Sequence, residues 1–138
     1  MADKIRVLIL CTGNSARLQM ADGLLRYDAG DRFTVASACT KPSSVRPEAI
    51  AVMMEVGIDI TSQRSKHVDE FAGQHFDYVL TVCDHANEVG PVFSGSARRV
   101  HQNFEDPATV QGTEAERLAA FRRVRDQIRG YRKAFPPQ

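Results

Sequence analysis

Residues 5–10, Ile-Arg-Val-Leu-Ile-Leu, form a nearly continuous apolar run, as in a strand buried on both faces of a parallel sheet. The period then changes. From Leu18 to about Tyr27 the apolar positions Met20, Ala21, Leu24 and Leu25 recur at helical spacing, and Asp28, Gly30 and Asp31 end that helix. Phe33 to Ala38 predicts a second strand. Pro47 marks the first turn of a second helix, with Ile50, Met53 and Met54 on one face and Gly57 as its stop. Phe76 to Val82 reads as a third strand, and Arg98 to Phe104 accommodates a fourth. Thr113-Glu-Ala-Glu116 is a capping-box pattern. It opens a last helix in which Leu118, Phe121, Val124, Ile128 and Tyr131 follow a 3.6-residue period.

Strands alternating with helices predict an α/β fold, here a single domain over residues 1–138 with a four-stranded parallel sheet and helices on both faces. Ligands of such sheets bind outside the carboxyl ends of the strands. The first strand ends at Cys11.

Composition narrows the classes. The 138 residues are 43% hydrophobic and 25% charged, ordinary for a soluble globular chain. No apolar run approaches the roughly 18 residues of a membrane span, and the opening Met-Ala-Asp-Lys lacks the pattern of a signal peptide. A cytoplasmic protein is expected. Net charge is +1, from 18 Lys+Arg against 17 Asp+Glu, so no global basic field supports nucleic-acid binding. The basic cluster Arg122, Arg123, Arg125, Arg129, Arg132 and Lys133 reads as a solvated helix face. Three cysteines form neither a CxxC pair nor a zinc-like spacing, and a reducing compartment keeps them as thiols. The four histidines, His67, His75, His85 and His101, show no metal spacing, and no metal is expected.

Cys11 and Arg17 are five residues apart, between a predicted strand and a predicted helix. A loop that short can wrap one tetrahedral oxyanion when its N–H groups turn inward. The following helix adds first-turn donors and the positive end of its dipole. The candidate cradle is Thr12, Gly13, Asn14, Ser15, Ala16 and Arg17, with Gly13 and Asn14 suited to a tight loop. Arg17 closes it with a planar fork that pairs two oxygens at once. The same field favours a Cys11 thiolate, the form a covalent nucleophile needs. Without that context, C-x5-R would read as a buried strand-end cysteine and a helix-surface arginine.

Val7-Leu-Ile-Leu-Cys-Thr-Gly-Asn-Ser15 and Arg17-Leu-Gln-Met-Ala-Asp-Gly23 resemble the thiol-dependent arsenate reductases of the low-molecular-weight protein tyrosine phosphatase superfamily. Val45–Ile50, Val56–Ile60, Phe76–Cys83, Phe104–Pro107 and the closing Arg-rich helix follow that family in order. The resemblance implies a low-molecular-weight phosphatase-like fold and a cysteinyl-arsenate adduct on Cys11. It implies Arg17 as oxyanion clamp, Asp106 as general acid and Cys83 as resolving thiol. By themselves Asp106-Pro107 would read as a turn opener and Cys83 as a small buried residue.

The chain departs from that pattern at six positions. Relatives carry cysteines where this chain has Ala16 and Gly90, so their disulfide relay is broken here. Either Cys83 forms the last internal disulfide or a small thiol attacks the adduct. A glutathione/glutaredoxin or mycothiol reductant is favoured over thioredoxin, with no bound cofactor. Leu18 replaces a serine whose hydroxyl would donate to the thiolate, which predicts a slower enzyme. Cys39 stands where relatives have glycine and reads as structural, with a substitute thiol near the loop as the other reading. Arg64 and Lys66 fall on positions that serve potassium in some relatives, so no potassium requirement is expected. A tyrosine phosphatase would use the same Cys11, Arg17 and Asp106. It adds aromatic residues after the Asp-Pro pair, whereas Ala108 to Gly112 contains none. A binding protein for arsenate or a related oxyanion, without turnover, is the third reading. Expected partners are arsenate and a thiol-transfer protein or small thiol, with no nucleic acid, no membrane and a monomeric chain.

Overall fold

The computed structural model describes residues 4–11, 15–39, 46–63, 66–71, 74–82, 98–102, 104–105, 107–133 and 135. The first apolar run becomes β1, Ile5–Cys11, followed by α1, Ser15–Ala29, and β2, Phe33–Cys39. Then come α2, Pro47–Met54, β3, Tyr78–Thr81, β4, Arg98–His101, and α3, Glu114–Arg132. The sheet order is β2-β1-β3-β4 and each pairing is parallel, the expected four-stranded α/β arrangement. β1 is central. Its partners run from Ile5 with Phe33 to Cys11 with Cys39 on one side, and from Val7 with Tyr78 to Leu10 with Thr81 on the other. Successive residues of a strand point to opposite faces, and Leu8 and Ile9 are both fully buried, so both faces of the sheet are covered. On the Ile9 side, Leu80 shares an apolar interior with Leu24 and Leu25 of α1 and Ile128 and Tyr131 of α3.

Some elements differ from their sequence pattern and others follow it. α1 begins three residues before Leu18 because Ser15 and Ala16 carry no apolar period. Residues 16–25 are all buried, so α1 is enclosed and its stripe of apolar positions marks only part of the buried surface. β3 and β4 have four residues each. Phe76 and Val82 are buried flanks outside β3, although Val82 N–H still donates to the Leu10 carbonyl at 3.1 Å. The stop at Gly57 is met: its φ is +80°, its N–H donates to the Met54 carbonyl at 2.9 Å, and Ile58 N–H donates to Met53 at 3.0 Å. Those bonds form a Schellman turn. The capping box also forms, with Glu116 N–H donating to Thr113 Oγ1 at 3.1 Å and Thr113 N–H to Glu116 Oε1 at 3.3 Å.

The basic cluster on α3 is more than a solvated face. Arg125 is buried, donating to the Val52 carbonyl at 2.8 Å and to Glu55 at 3.0 Å. Arg122 forks onto Glu55 at 2.7–3.0 Å, and Arg129 forks onto Asp28 with both contacts at 3.0 Å. The cluster fastens α3 to the end of α2 and to α1. Placement of the side chain of Arg132 lies outside what is described.

Candidate active site

α1 leads from β1 to β2 on one side, while β3 pairs on the other. The carboxyl end of β1 is therefore the point where strand order reverses, the place where open α/β sheets hold ligands. Cys11 is the last residue of β1 and is fully buried. Arg17 is the third residue of α1, and only 9% exposed. Strand end and helix start thus bring the two ends of C-x5-R to one place, with the first turn of α1 between them. A first turn has N–H groups with no acceptor inside the helix. Of the other cradle residues, Ala16 is buried in that turn and Ser15 opens it. Thr12, Gly13 and Asn14 lie outside the described residues, as do Cys83 and Asp106.

The segment on either side of Asp106 is nonetheless fixed. Arg17 Nη1 donates to the Phe104 carbonyl at 2.8 Å, a buried bond between residues 87 positions apart in the chain. Phe104 is itself buried and its ring meets the Tyr131 ring edge-on at 5.8 Å. Arg123 forks onto Glu105 at 2.7 and 3.1 Å, and the hydrogen bond from Arg123 holds the Glu105 carboxyl below its ordinary range. Pro107 is buried at the start of a short 3-10 turn, Pro107–Thr109. These anchors fasten the residues that flank position 106, with Phe104 bonded to Arg17. Sequence reasoning places Asp106 there only through the resemblance, and it misses the Phe104 carbonyl because a main-chain acceptor leaves no trace in residue type.

α1 is braced by polar residues that the periodicity also misses. Asp22, 3% exposed, accepts from Ser37 Oγ on β2 and from Arg26 Nε. Arg26 donates in addition to the Val35 carbonyl at 2.6 Å. Gln63 Nε2 donates to Gln19 Oε1 at 2.6 Å and to the Gln19 carbonyl at 3.1 Å. Gly23 permits a close approach of α1 to its neighbours: a Cβ there would meet Ile60 Cγ2 at 2.8 Å and Met53 Cε at 3.0 Å. An acidic residue inside an apolar helical stripe was the available signal. Buried polar groups need partners, and an acid at position 22 implies a donor from the sheet.

Leu18 is fully buried within the core. Cys39 ends β2 as the register partner of Cys11, and its thiol donates to the Lys66 carbonyl at 3.6 Å. Lys66 lines a polar cleft with Asp22, Arg26, Asp59, Ser62 and Gln63, while Arg64 lies outside the described residues. Among the described residues no group of three or more His, Cys, Asp or Glu could hold a metal ion. No helix among them is long and apolar enough to cross a membrane.

A family model described as low molecular weight phosphotyrosine protein phosphatase matches residues 6–135. The chain is 44% identical over 129 residues to an arsenate reductase of Halalkalibacterium halodurans, covering 94% of this chain and 93% of that protein. It is 42% identical over 135 residues to an arsenate reductase of Bacillus subtilis, with 98% and 96% covered. A solved structure described as an arsenate reductase in oxidized state has a TM-score of 0.75 at 30% identity over 93% of both chains. A low molecular weight protein tyrosine phosphatase from T. tengcongensis reaches the same TM-score, 0.75, at 22% identity over 94% of this chain and 96% of that one. That last likeness is one of fold.

Proposed function

The chain belongs to the low molecular weight phosphotyrosine protein phosphatase family, and from that premise we propose that it is an arsenate reductase, converting arsenate to arsenite at Cys11. The observation that carries the reading is the 44% identity over 129 residues to a protein named arsenate reductase, and the buried Arg17–Phe104 bond, 2.8 Å long, supports it at the site. That bond aims a guanidinium fork from the first turn of α1 and ties to it the segment that bears the candidate acid.

In the proposed reaction the N–H groups of Thr12 to Arg17 and the Arg17 fork hold the oxyanion above the Cys11 thiolate. Cys11 Sγ bonds to arsenic as one arsenic–oxygen bond breaks, and Asp106 supplies the proton with which that oxygen leaves as water. A second thiol then attacks Cys11 Sγ. Arsenite departs with the electron pair of the sulfur–arsenic bond, and a disulfide remains. Cys83 is the proposed second thiol, working with a glutathione/glutaredoxin or mycothiol reductant in preference to thioredoxin. A reducing cytoplasm and a monomeric chain complete this reading. With Ala16 and Gly90 in place of cysteines, the chain has no long internal relay to hand a disulfide outward.

The experiment is arsenite production from arsenate with thioredoxin and its reductase, or with glutathione and glutaredoxin, comparing wild type and Cys11→Ser. Hydrolysis of p-nitrophenyl phosphate is followed in parallel. The expected result is arsenite that depends on the glutathione system and on Cys11, with only weak ester hydrolysis. Ester hydrolysis without arsenite under glutathione, thioredoxin or mycothiol would replace the reductase by a phosphatase. Tight arsenate binding without either product would replace it by a binding protein.

A further inference from the structure

Cys39 is the one cysteine of the three that the reading above leaves without a role, and the sheet sets it beside the nucleophile. Cys11 ends β1, Cys39 ends β2, and the two are register partners in a parallel pair. Register partners project from the same face of a pleated sheet, on strands roughly 4.7–4.9 Å apart. A disulfide joins Cα atoms roughly 4.4–6.8 Å apart, so this pairing lies within its reach. Both residues are fully buried. The Lys66 carbonyl accepts from Cys39 N at 2.9 Å and from Cys39 Sγ at 3.6 Å, which fixes Cys39 against the segment beyond β2. A thiol arriving from solvent must reach a buried sulfur, whereas Cys39 already stands alongside it.

We infer that Cys39 is a further resolving thiol, closing a Cys11–Cys39 disulfide across β1 and β2 whenever the Cys11 sulfur is oxidised. The inference rests on Cys11 being the attacking residue proposed above. With arsenate, Cys39 Sγ attacks Cys11 Sγ and a sulfur–sulfur bond forms as the sulfur–arsenic bond breaks. The electron pair of that bond leaves with arsenic, and the proton lost by Cys39 goes to arsenite. Two thiols lose two electrons in all and arsenic gains two. With hydrogen peroxide, Cys11 first becomes a sulfenic acid, and the same attack expels water. This route runs parallel to one through Cys83.

The test uses the full reduced chain, as wild type and as Cys83→Ser, treated with equimolar hydrogen peroxide or with arsenate and no external thiol. Remaining thiols are blocked with iodoacetamide and disulfide-linked peptides are mapped by mass spectrometry. The expected product is a peptide pair linking Cys11 to Cys39 in both proteins and with both oxidants, with arsenite released alongside it. Cys39→Ser in the Cys83→Ser background should remove that pair and leave Cys11 after peroxide as a sulfenic acid, trapped with dimedone. Alkylated Cys39 with Cys11 bridged to Cys83, or over-oxidised, would overturn the pairing even if arsenite forms. A bridge under peroxide with no arsenite under arsenate would instead overturn the reductase reading, and with it the role of Cys39 in arsenate reduction.

Discussion

Arginine is used in two ways in this molecule. At the carboxyl end of β1, Arg17 is buried and donates to a backbone carbonyl, that of Phe104. On α3, Arg122, Arg123 and Arg129 lay their forks onto the carboxylates of Glu55, Glu105 and Asp28. A carbonyl orients the guanidinium and brings no formal charge, which suits the proposed role of Arg17 as an oxyanion clamp. A carboxylate neutralises the cation and fastens α3 to another segment of the chain. Arg125 is the intermediate case, buried and shared between the Val52 carbonyl and Glu55.

The sharpest way to break this contrast is Arg17→Lys. It keeps the charge and discards the fork, and activity is expected to fall on the order of a hundredfold or more. Steady-state kinetics with unchanged far-UV circular dichroism would check it. Full activity in the lysine variant would mean that charge alone suffices at the site. Next is Arg125→Met, which leaves the buried Val52 carbonyl without its donor. It should cost about 1–3 kcal/mol of stability, seen as a lower urea midpoint, with kcat unchanged.

Leu18→Ser sharpens the description of the Cys11 end. The side chain is fully buried in the core, so the variant loses stability, yet the new hydroxyl can donate to the Cys11 thiolate. Activity should rise more steeply between about pH 6 and 8 in wild type than in the variant, because a donor to the thiolate lowers the pH at which it forms. Superimposable profiles would refute that.

The smallest effect belongs to the exposed pairs. The hydrogen bond from Arg122, with a further one from Arg125, holds the Glu55 carboxyl below its ordinary 4.5. The contribution of that pairing is therefore complete above 4.5 and is lost as pH falls through the lower folded value. Arg122→Ala should cost little stability at neutral pH, because the pair is exposed and screened. Thermal melts should show the gap to wild type narrowing in acid. A gap that widens as pH drops would contradict the sign.

How much of this was legible in the sequence differs between the two regions. The strands at Ile5 and Phe33, the stop at Gly57 and the Thr113 capping box follow from local rules, because apolar period, positive φ and cap chemistry act over a few residues. The same locality set Cys11 and Arg17 at a strand end and a helix start. The Arg17–Phe104 bond, the Asp22–Ser37 contact and the ion pairs of α3 were not legible, since they join segments far apart in the chain and use acceptors that carry no pattern. For that reason Arg125 read as a solvated residue although it is buried. The assignment of Asp106 depended on the resemblance, and the Cys11–Cys39 register emerged only when β1 and β2 were paired.

The most direct test of the central claim is a single turnover. Reduced protein is mixed with excess arsenate and no external thiol, and arsenite is counted for wild type and for a folded Cys11→Ser. The account predicts about one arsenite per chain from wild type and none from the variant. No arsenite from wild type, or an equal yield from Cys11→Ser, would contradict it.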